Sequence, residues 1–520
     1  MLTAALLAGS PVSAQRAGGT LRMFHWDNPL SSSILEEDTP AAVIPFLPVF
    51  NGLVMFDPTK PQNTEDSIVP DLAESWSWNE DRTELTFKLR RDVKWHDGWA
   101  FTAADVECTF ELLTGRARDP LKQNPRGSWF RNINYVHGNT DQDVTIYLNR
   151  PQPSLLMLLA SGLTPIYPCH VPGSHMRTKA IGTGPFRIES FKQFDSVRLV
   201  RNPDYFKPGK PLLDGIEFSI VASPSTALLG FVAGRYDMTF PWDVSIRQLR
   251  DVRRQAPRVA CETTPMNSST NILINRDAAP FDDPEIRRAL VMALDRRAFI
   301  TALNEGFGDI GGILQPPPEG LWGLPPDRLA EVPGRDPDVA KNRAEARAIM
   351  EKAGYGPARP LQIKILTRSR ASLREPAALL AEQLRTIHVA AQLEPVTASR
   401  WLGRMHRRDF MLSINVTANG VDDPDQTYFE NFSCRSERNY SGYCNGEIER
   451  LFDLQSAETD AEKRRQMVWD IDARLLADAA RPTIMWNSNA TCWQPYVRGF
   501  VPSVNSMFNV GHFEDVWLDR

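Results

Sequence analysis

Long apolar runs are absent from most of this sequence. After residue 14, no segment of the 520 residues approaches the ~20 consecutive apolar residues that a transmembrane helix needs. Long runs of lysine and arginine are also absent, and the formal net charge is −5. Because nucleic-acid binding needs clustered positive charge, we expect no nucleic-acid partner. A content of 42% hydrophobic and 24% charged residues is typical of a globular protein with large cores.

Residues for catalysis and metal binding are sparse as well. The eight histidines are dispersed, the six cysteines form no CxxC pair, and no GxSxG nucleophile motif occurs. Cys169, His170 and His175 lie close together in CHVPGSH, but their spacing fits no common zinc pattern. We therefore predict a protein that is not an enzyme and that carries no metal or cofactor.

The N-terminus is typical of an export signal. Residues 2–8 form an apolar stretch that is too short to span a bilayer, and Val12-Ser13-Ala14 ends on small residues before Gln15. The usual positive charges before the apolar stretch are missing, which leaves the true start codon open. A structureless terminus is the alternative. We expect a signal peptide over residues 1–14 and a mature protein in the periplasm.

Disulfide bonds are allowed in an exported protein. Cys434 and Cys444 bracket the polar loop RSERNYSGY, which a short bridge can close, so we expect this disulfide. The other four cysteines either pair or stay buried as small apolar side chains, and the sequence leaves both possibilities open. These four are Cys108, Cys169, Cys261 and Cys492.

The segment VKWHDGWAFTAADV crowds two tryptophans, a histidine and two aspartates into fourteen positions. Asp97-Gly98 is a turn signal between a strand and a helix, because glycine tolerates a positive φ. Thr102 is a suitable helix N-cap, and Asp105 completes a capping box three residues later. Since no nucleophile accompanies His96, we expect a structural turn here and no catalytic dyad.

Helical and strand patterns alternate from residue 340 onward. The helical segments are VAKNRAEARAIMEKAGYG, LREPAALLAEQLRTI and SRWLGRMHRRD, and the strands after them are LQIKILT, AAQLEPV and FMLSIN. Strands that alternate with helices of this length indicate βαβ crossovers with parallel strand pairs. The second half of the chain is therefore predicted to be α/β.

Several sequence blocks occur in the order found in one known family. They are PDLAESWSWNEDRTELTFKLRRDVKWHDGWAFTAADV, GTGPFRIESF, VRNPDYF, AGRYDM and PFDDPEIRRALVMALDR. From Gly18 to Arg520 the chain resembles the extracytoplasmic solute-binding proteins of ABC importers, in the peptide/nickel/opine-binding family (solute-binding protein family 5). The first block is structural in that family, which agrees with the turn proposed above.

The resemblance implies an α/β fold, a two-lobed periplasmic-binding-protein clamshell with an extra subdomain inserted in lobe I. Its expected bounds are residues 18–260 plus 487–520 for lobe I, about 56–177 for the inserted subdomain, 271–484 for lobe II, and about 261–270 and 485–490 for the hinge strands. The implied function is capture of a small solute for an ABC permease and its ATPase subunits by a monomer.

The solute itself is left open by the sequence. An amino-acid-derived or opine-like carboxylate is expected first, then a short peptide, then an oligosaccharide. A receptor for a metal complex with the same fold, or an exported enzyme that reuses the clamshell, would also be compatible with the sequence.

The resemblance also implies residues for the two ends of a peptide-like solute. Dipeptide-binding relatives hold the carboxylate with an arginine at the start of a lobe II helix, a position that Arg374 occupies here, with Arg368 and Arg370 as secondary candidates. Relatives hold the α-ammonium with an aspartate shortly before an Asp-Pro pair, but Gly420 stands there in NVTANGVDDPDQTYF. Asp422 either substitutes for it or is a turn residue.

Aromatic side chains are expected in the cleft, because they exclude water from a bound solute. Trp26, Trp401 and Tyr428 are the candidates for this role. Each of them could instead pack in a core.

Export predicts a defined mature N-terminus. Protein recovered from the periplasm should begin at Gln15, because cleavage is expected after Ala14. N-terminal sequencing checks this, and an intact Met1 on protein found in the cytoplasm would contradict it.

Overall fold

Three multi-stranded sheets organise this computed structural model, which describes residues 15–37, 39–509 and 512–520. The expected signal peptide, residues 1–14, lies outside the described residues. No helix within the described ranges is both long and apolar enough to cross a membrane.

The described strands, in chain order, are β1 Thr20–His25, β2 Val54–Phe56, β3 Ile68–Pro70, β4 Ala73–Trp78, β5 Glu84–Leu89, β6 Ile133–Gly138, β7 Asp143–Leu148, β8 Phe186–Lys192, β9 Ser196–Arg201, β10 Gly215–Ile220, β11 Ala260–Ile274, β12 Leu361–Arg368, β13 Val389–Val396, β14 Leu412–Ala418, β15 Thr483–Trp493, β16 Val497–Arg498 and β17 Trp517–Leu518.

The α-helices are α1 Pro40–Val43, α2 Ala103–Leu113, α3 Leu155–Ala160, α4 Gly173–Thr178, α5 Pro224–Val232, α6 Ile246–Gln255, α7 Pro284–Met292, α8 Arg296–Asn304, α9 Pro326–Ala330, α10 Val339–Lys352, α11 Ala371–Leu384, α12 Ala398–His406, α13 Pro424–Asn431, α14 Gly446–Ala457, α15 Ala461–Ala477 and α16 Ser506–Asn509. Short 3₁₀ helices span Ile34–Glu36, Ile44–Val49, Glu65–Ser67, Gly127–Phe130 and Arg385–Ile387.

Sheet 1 has the order β1-β10-β9-β8, in which β1 pairs parallel with β10 and the other neighbours are antiparallel. Sheet 2 is antiparallel, with the order β4-β5-β7-β6. Its strand β5 shows the predicted period of two, because Leu85, Phe87 and Leu89 are all buried on one face. Both sheets pack on the same large hydrophobic core.

Sheet 3 is mixed, with the order β13-β12-β14-β11-β15. Strand β12 pairs parallel with β13 and β14, while β11 pairs antiparallel with β14 and β15. Helices α10, α11 and α12 lie between the strands where the alternating pattern predicts them. The α/β prediction for this half of the chain is therefore confirmed, and a separate core fills it.

Strands β11 and β15 are long enough to run out of sheet 3 towards sheet 1. Their antiparallel pairing extends from Asn271–Thr483 to Ala260–Trp493. Cys261 and Cys492 are register partners in this pair and are joined by a disulfide. We call these two strands the crossing pair.

Two further disulfide bonds are present among the described residues. Cys434 is bonded to Cys444, the pairing that the sequence predicts, and Cys108 is bonded to Cys169. The sequence does not predict the second bridge, because its partners are 61 residues apart.

The segment around His96 is a structural turn. The backbone N–H of Gly182 donates to His96 Nδ1 (3.3 Å), so Nε2–H of the neutral ring donates to Gly184 O (3.0 Å). Burial lowers the His96 pKa to about 4, which keeps the ring neutral. The capping box is also present, with Thr102 N–H donating to Asp105 Oδ2 (3.0 Å).

Contacts also join the sheet 2 region to helices that lie between β14 and β15 in the chain. Asp453 on α14 accepts hydrogen bonds from Arg131 (2.5 Å) and Arg150 (2.7 Å). The buried Trp129 indole donates to Glu430 Oε2 on α13 (3.2 Å). These contacts hold the two regions against each other.

Replacing His96 tests the framework role of this turn. His96→Ala leaves the two glycine backbone groups without their partner, so we expect a loss of about 1–3 kcal/mol in the free energy of unfolding and unchanged solute affinity. Asp97→Asn should also leave affinity unchanged. Urea denaturation and calorimetric titration measure the two quantities; a tenfold affinity loss with intact stability would contradict the assignment.

Candidate functional site

A tight turn at residues 240–243 carries a strained aromatic residue. The Asp243 backbone N–H donates to Phe240 O (3.0 Å), with Pro241 and Trp242 between them. Trp242 has a φ of 94°. Proline in the second position and a positive φ in the third define a type II turn, which usually has glycine in that third position. A tryptophan held in this conformation is strained, and strained residues cluster at functional sites.

Strand β15 of the crossing pair holds this turn at both ends. Thr239 N–H donates to Cys492 O (2.8 Å), and Ala490 N–H donates to Val244 O (3.0 Å). The turn is thereby fixed beside the disulfide that links the crossing pair.

Trp26 directly follows β1 and lies against the turn. Its ring centroid is 6.1 Å from that of Trp242, with 58° between the planes, and both rings are half-buried. The ring of the buried residue His25 packs 4.5 Å from Trp26. The two indoles together form an apolar surface that can cover the apolar part of a solute.

Arg370 reaches the same surface from sheet 3. It is the N-cap residue of α11, just after β12, and its guanidinium carbon lies 5.6 Å from the Trp26 ring centroid. This distance is within the range of a cation–π interaction. The side chain stays accessible to solvent, but the protein around it lowers its pKa by desolvation, and the charges of Asp243 and Asp27 oppose that change.

Asp243 supplies a carboxyl group to this cluster. Its Oδ2 accepts a hydrogen bond from Phe240 N–H (2.7 Å). Burial raises the pKa of Asp243 to about 8, although this hydrogen bond and the charge of Arg370 act against the shift. Among the residues that the structure describes, neither Asp243 nor Arg370 forms an ion pair within 4.0 Å. Both groups are therefore available to a third polar group.

Arg374, the residue predicted to hold a carboxylate, does not join this cluster. Its side chain is exposed on α11, one helical turn after Arg370. Arg368, the other secondary candidate, lies over the Trp401 ring at 4.6 Å. Arg370, and not Arg374, is therefore the arginine that lies against the two indoles.

Gly420 is enclosed where relatives carry their aspartate. A Cβ atom on Gly420 would lie 2.8 Å from Ser161 Oγ and 3.3 Å from Leu163 Cδ1. Its carbonyl accepts a hydrogen bond from Asn509 Nδ2 (2.6 Å). The acidic residue is thus missing, and the space that its side chain would need is occupied.

Asp422 does not substitute for that residue. Its buried carboxylate accepts a hydrogen bond from Leu321 N–H (2.8 Å), and its backbone carbonyl accepts one from Trp322 Nε1 (3.1 Å). Burial raises the Asp422 pKa to about 7. In this arrangement the side chain fastens the loop before α9.

Trp401 and Tyr428 are corrected from ligand contacts to core residues. Trp401 is 4% exposed, and its Nε1–H donates to Ser413 Oγ (2.9 Å). Tyr428 is 0% exposed, and its hydroxyl donates to Val468 O (3.1 Å). Their polar atoms are therefore satisfied inside hydrophobic cores.

The CHVPGSH segment has a structural role. Cys169 is in its disulfide, His170 Nε2 lies 2.7 Å from Asp97 Oδ2, and the His170 ring stacks on Trp99 at 4.9 Å. In the described part of the chain, no group of three or more His, Cys, Asp or Glu side chains is placed to hold a metal ion.

Residues 67–439 match the family model described as bacterial extracellular solute-binding proteins, family 5 middle, over more than half of the chain. The chain belongs to this family. A similar protein is the probable di/tripeptide-binding protein 5 of Pseudomonas aeruginosa, 26% identical over 80% of both chains. The probable D,D-dipeptide-binding periplasmic protein DdpA of Escherichia coli is 25% identical over 89% of this chain and 88% of its own.

Solved structures show the same fold as this family-5 chain. DppA of Helicobacter pylori in complex with the peptide STSA has a TM-score of 0.85 and 19% identity, over 97% of this chain and 99% of its own. AgaA of A. tumefaciens R10 in complex with agropinic acid has a TM-score of 0.83 and 21% identity, over 96% and 99%. The predicted two-lobed α/β clamshell is thereby confirmed.

Two residues of this candidate cluster were not predicted from the sequence of this family-5 protein. Trp242 and Asp243 lie in the segment FPWDV, in which Pro241 and, two positions later, Asp243 are residue types that favour a turn. That signal could have located the turn. The positive φ of Trp242 has no signature in the sequence, because a type II turn normally shows glycine or asparagine there.

Replacing Asp422 tests its role through the pH dependence of stability. An aspartate with a folded pKa near 7 and an unfolded pKa near 3.8 keeps a proton on folding, so its contribution to stability falls as pH rises from about 4 to about 7. Asp422→Asn can still accept the hydrogen bond from Leu321 and does not ionise. From pH 4 to pH 8, we therefore expect the free energy of unfolding of the variant to rise by at least about 1 kcal/mol relative to that of the wild type.

Urea denaturation at a series of pH values measures this difference. Asp81→Asn, at an exposed position, is the matched control. Its free energy of unfolding should change with pH in parallel with that of the wild type. Parallel curves for Asp422→Asn and the wild type would show that the Asp422 pKa is not raised.

Proposed function

We propose that this family-5 protein is the periplasmic receptor of an ABC importer and that it binds its solute between Trp26 and Trp242 on one lobe and Arg370 on the other. The observation that carries the proposal is the position of Arg370 over Trp26, which joins an element of sheet 3 to an element of sheet 1. The half-buried indoles and the carboxyl of Asp243 lie at the same point.

We further propose that sheets 1 and 2 belong to lobe I and sheet 3 to lobe II, with the bounds expected from the sequence. The crossing pair then forms the hinge. A solute held from both sides interacts more strongly with the closed state than with the open one, and this difference shifts the population towards closure. The closed monomer is the form that we propose docks on the permease.

The proposed solute carries a carboxylate, which Arg370 can bind bidentately. An opine-like or other amino-acid-derived acid fits better than an ordinary peptide, because the place of the relatives' ammonium-binding aspartate is taken up by Gly420 and Ser161. The relatives named above bind both kinds of molecule, since one structure holds a peptide and another holds agropinic acid.

Asp243 adds a requirement at the other end of the solute. With a pKa near 8, its carboxyl is mostly protonated at neutral pH and can donate to a hydroxyl or an amide oxygen. A solute with an ammonium group there would instead release the Asp243 proton on binding. Mass spectrometry of the molecule released from purified protein by denaturation identifies the solute directly.

Two arginines on one helix separate the proposed site from the assignment made by resemblance. Arg370→Ala would leave the solute carboxylate without its partner, so we expect a loss of about 2–5 kcal/mol in binding free energy. Arg370→Lys should recover part of it, because an ammonium group cannot pair bidentately. Isothermal titration with the identified solute measures both.

Arg374→Ala is the matched control, since Arg374 is exposed one turn later on α11. Its affinity should stay within about twofold of the wild type, which is about 0.4 kcal/mol. Unchanged affinity of Arg370→Ala together with a loss in Arg374→Ala would refute the proposed site and restore the assignment made by resemblance.

A further inference from the structure

Lobe II contains a buried arginine that lacks a full set of partners. Arg296 is the first residue of α8 and is 5% exposed. Its Nε–H donates to Thr483 O (3.0 Å) at the start of β15, and its Nη1–H donates to Gly334 O (3.2 Å). Its buried Nη2 has no hydrogen-bond partner among the described residues. Burial of an unsatisfied charged donor is costly, so this group needs an explanation.

A second arginine with the same deficit lies beside it. Arg335 follows Gly334, the residue whose carbonyl binds Arg296. Both Nη1 and Nη2 of Arg335 are buried and unpartnered within the described ranges. The charge of Arg335 acts on Arg296 and, after desolvation, is the second cause that lowers the Arg296 pKa. The two guanidinium groups therefore repel each other inside the protein.

Among the described residues, one carboxylate lies near enough to act on Arg335. Asp472 on α15 attracts Arg335, yet its two oxygens accept hydrogen bonds from Ile313 N–H (2.8 Å) and Leu314 N–H (3.5 Å). Among described residues it forms no ion pair with either arginine within 4.0 Å. Two guanidiniums and one carboxylate leave a net positive charge, and desolvation lowers the pKa of Arg335 to about 10.

We propose that Arg296 and Arg335 hold a small monovalent anion of the size and charge of chloride inside lobe II. The three unpartnered nitrogens are all donors, so they suit a group that only accepts hydrogen bonds. Burial raises the pKa of Asp472 to about 7, and once Asp472 is ionised above that pH a single negative charge balances the net charge of the two arginines and Asp472. The proposed anion would connect α8, the Gly334–Arg335 segment and the start of β15, at the sheet 3 end of the crossing pair.

Thermal unfolding of the solute-free, full-length mature protein tests the site. Potassium chloride is compared with potassium gluconate at constant ionic strength, because general screening is then equal in both. We expect a saturable rise of about 2 °C in the unfolding midpoint with chloride. Arg335→Met should lose this rise, while the neighbouring Arg297→Met, a change at an exposed side chain, should retain it.

Crystals grown with bromide locate the anion by anomalous scattering. A bromide peak within hydrogen-bond distance of both guanidinium groups supports the proposal together with the chloride dependence. Equal midpoints in the two salts would overturn it, even with a peak, since that result means binding at crystal concentration only. A gain in stability of Arg335→Met that is the same in both salts would also overturn it, because it would show repulsion with no anion bound.

Discussion

The pairing of β11 with β15 is the constraint on which both the fold and the site depend. These strands run from the sheet 3 core to the neighbourhood of sheet 1, and a disulfide joins Cys261 to Cys492, which are 231 positions apart in the sequence. The turn that carries Trp242 is hydrogen-bonded to β15 beside this disulfide. A bend in the crossing pair would therefore move sheet 3 relative to a turn that stays fixed on the strand. The proposed solute-binding surface and the proposed hinge are therefore both built on the crossing pair.

Local order in the sequence explains how much of the fold could be predicted. The capping box at Thr102, the alternation in β5 and the helix–strand alternation after residue 340 are set by residues close together in the chain, and the structure confirms all three. The Cys434–Cys444 bridge is local in the same sense. The two disulfides with separations of 61 and 231 residues depend on tertiary contacts, for which a single sequence carries no signal.

The candidate site is harder to predict, for reasons that concern single residues. The resemblance places an arginine at the start of a helix. Arg374 would hold that position if the helix began just before Pro376, because proline is tolerated in the first turn of a helix. The helix begins at Ala371, with Arg370 as an N-cap whose side chain makes no capping bond. No capping signal marks that start, and the arginine that lies over Trp26 is one turn earlier. The positive φ of Trp242, at a turn position that usually holds glycine, could not be predicted from the sequence either. Its strain of about 1–3 kcal/mol is offset by contacts with residues far away in the chain, such as Trp26.

The distribution of charge in the cleft has a consequence for how the proposed receptor closes. In the relatives that the sequence resembles, the aspartate and the arginine that hold the two ends of a peptide both lie on lobe II. In the arrangement that we propose, Gly420 leaves no acid at this position of lobe II, and the carboxyl of Asp243 lies with Trp26 and Trp242 on lobe I. A solute bound to one lobe alone then satisfies one of its polar ends. Both ends are satisfied when the lobes meet, so the division of charge increases the difference in affinity between the closed and open states, which is the quantity that drives closure.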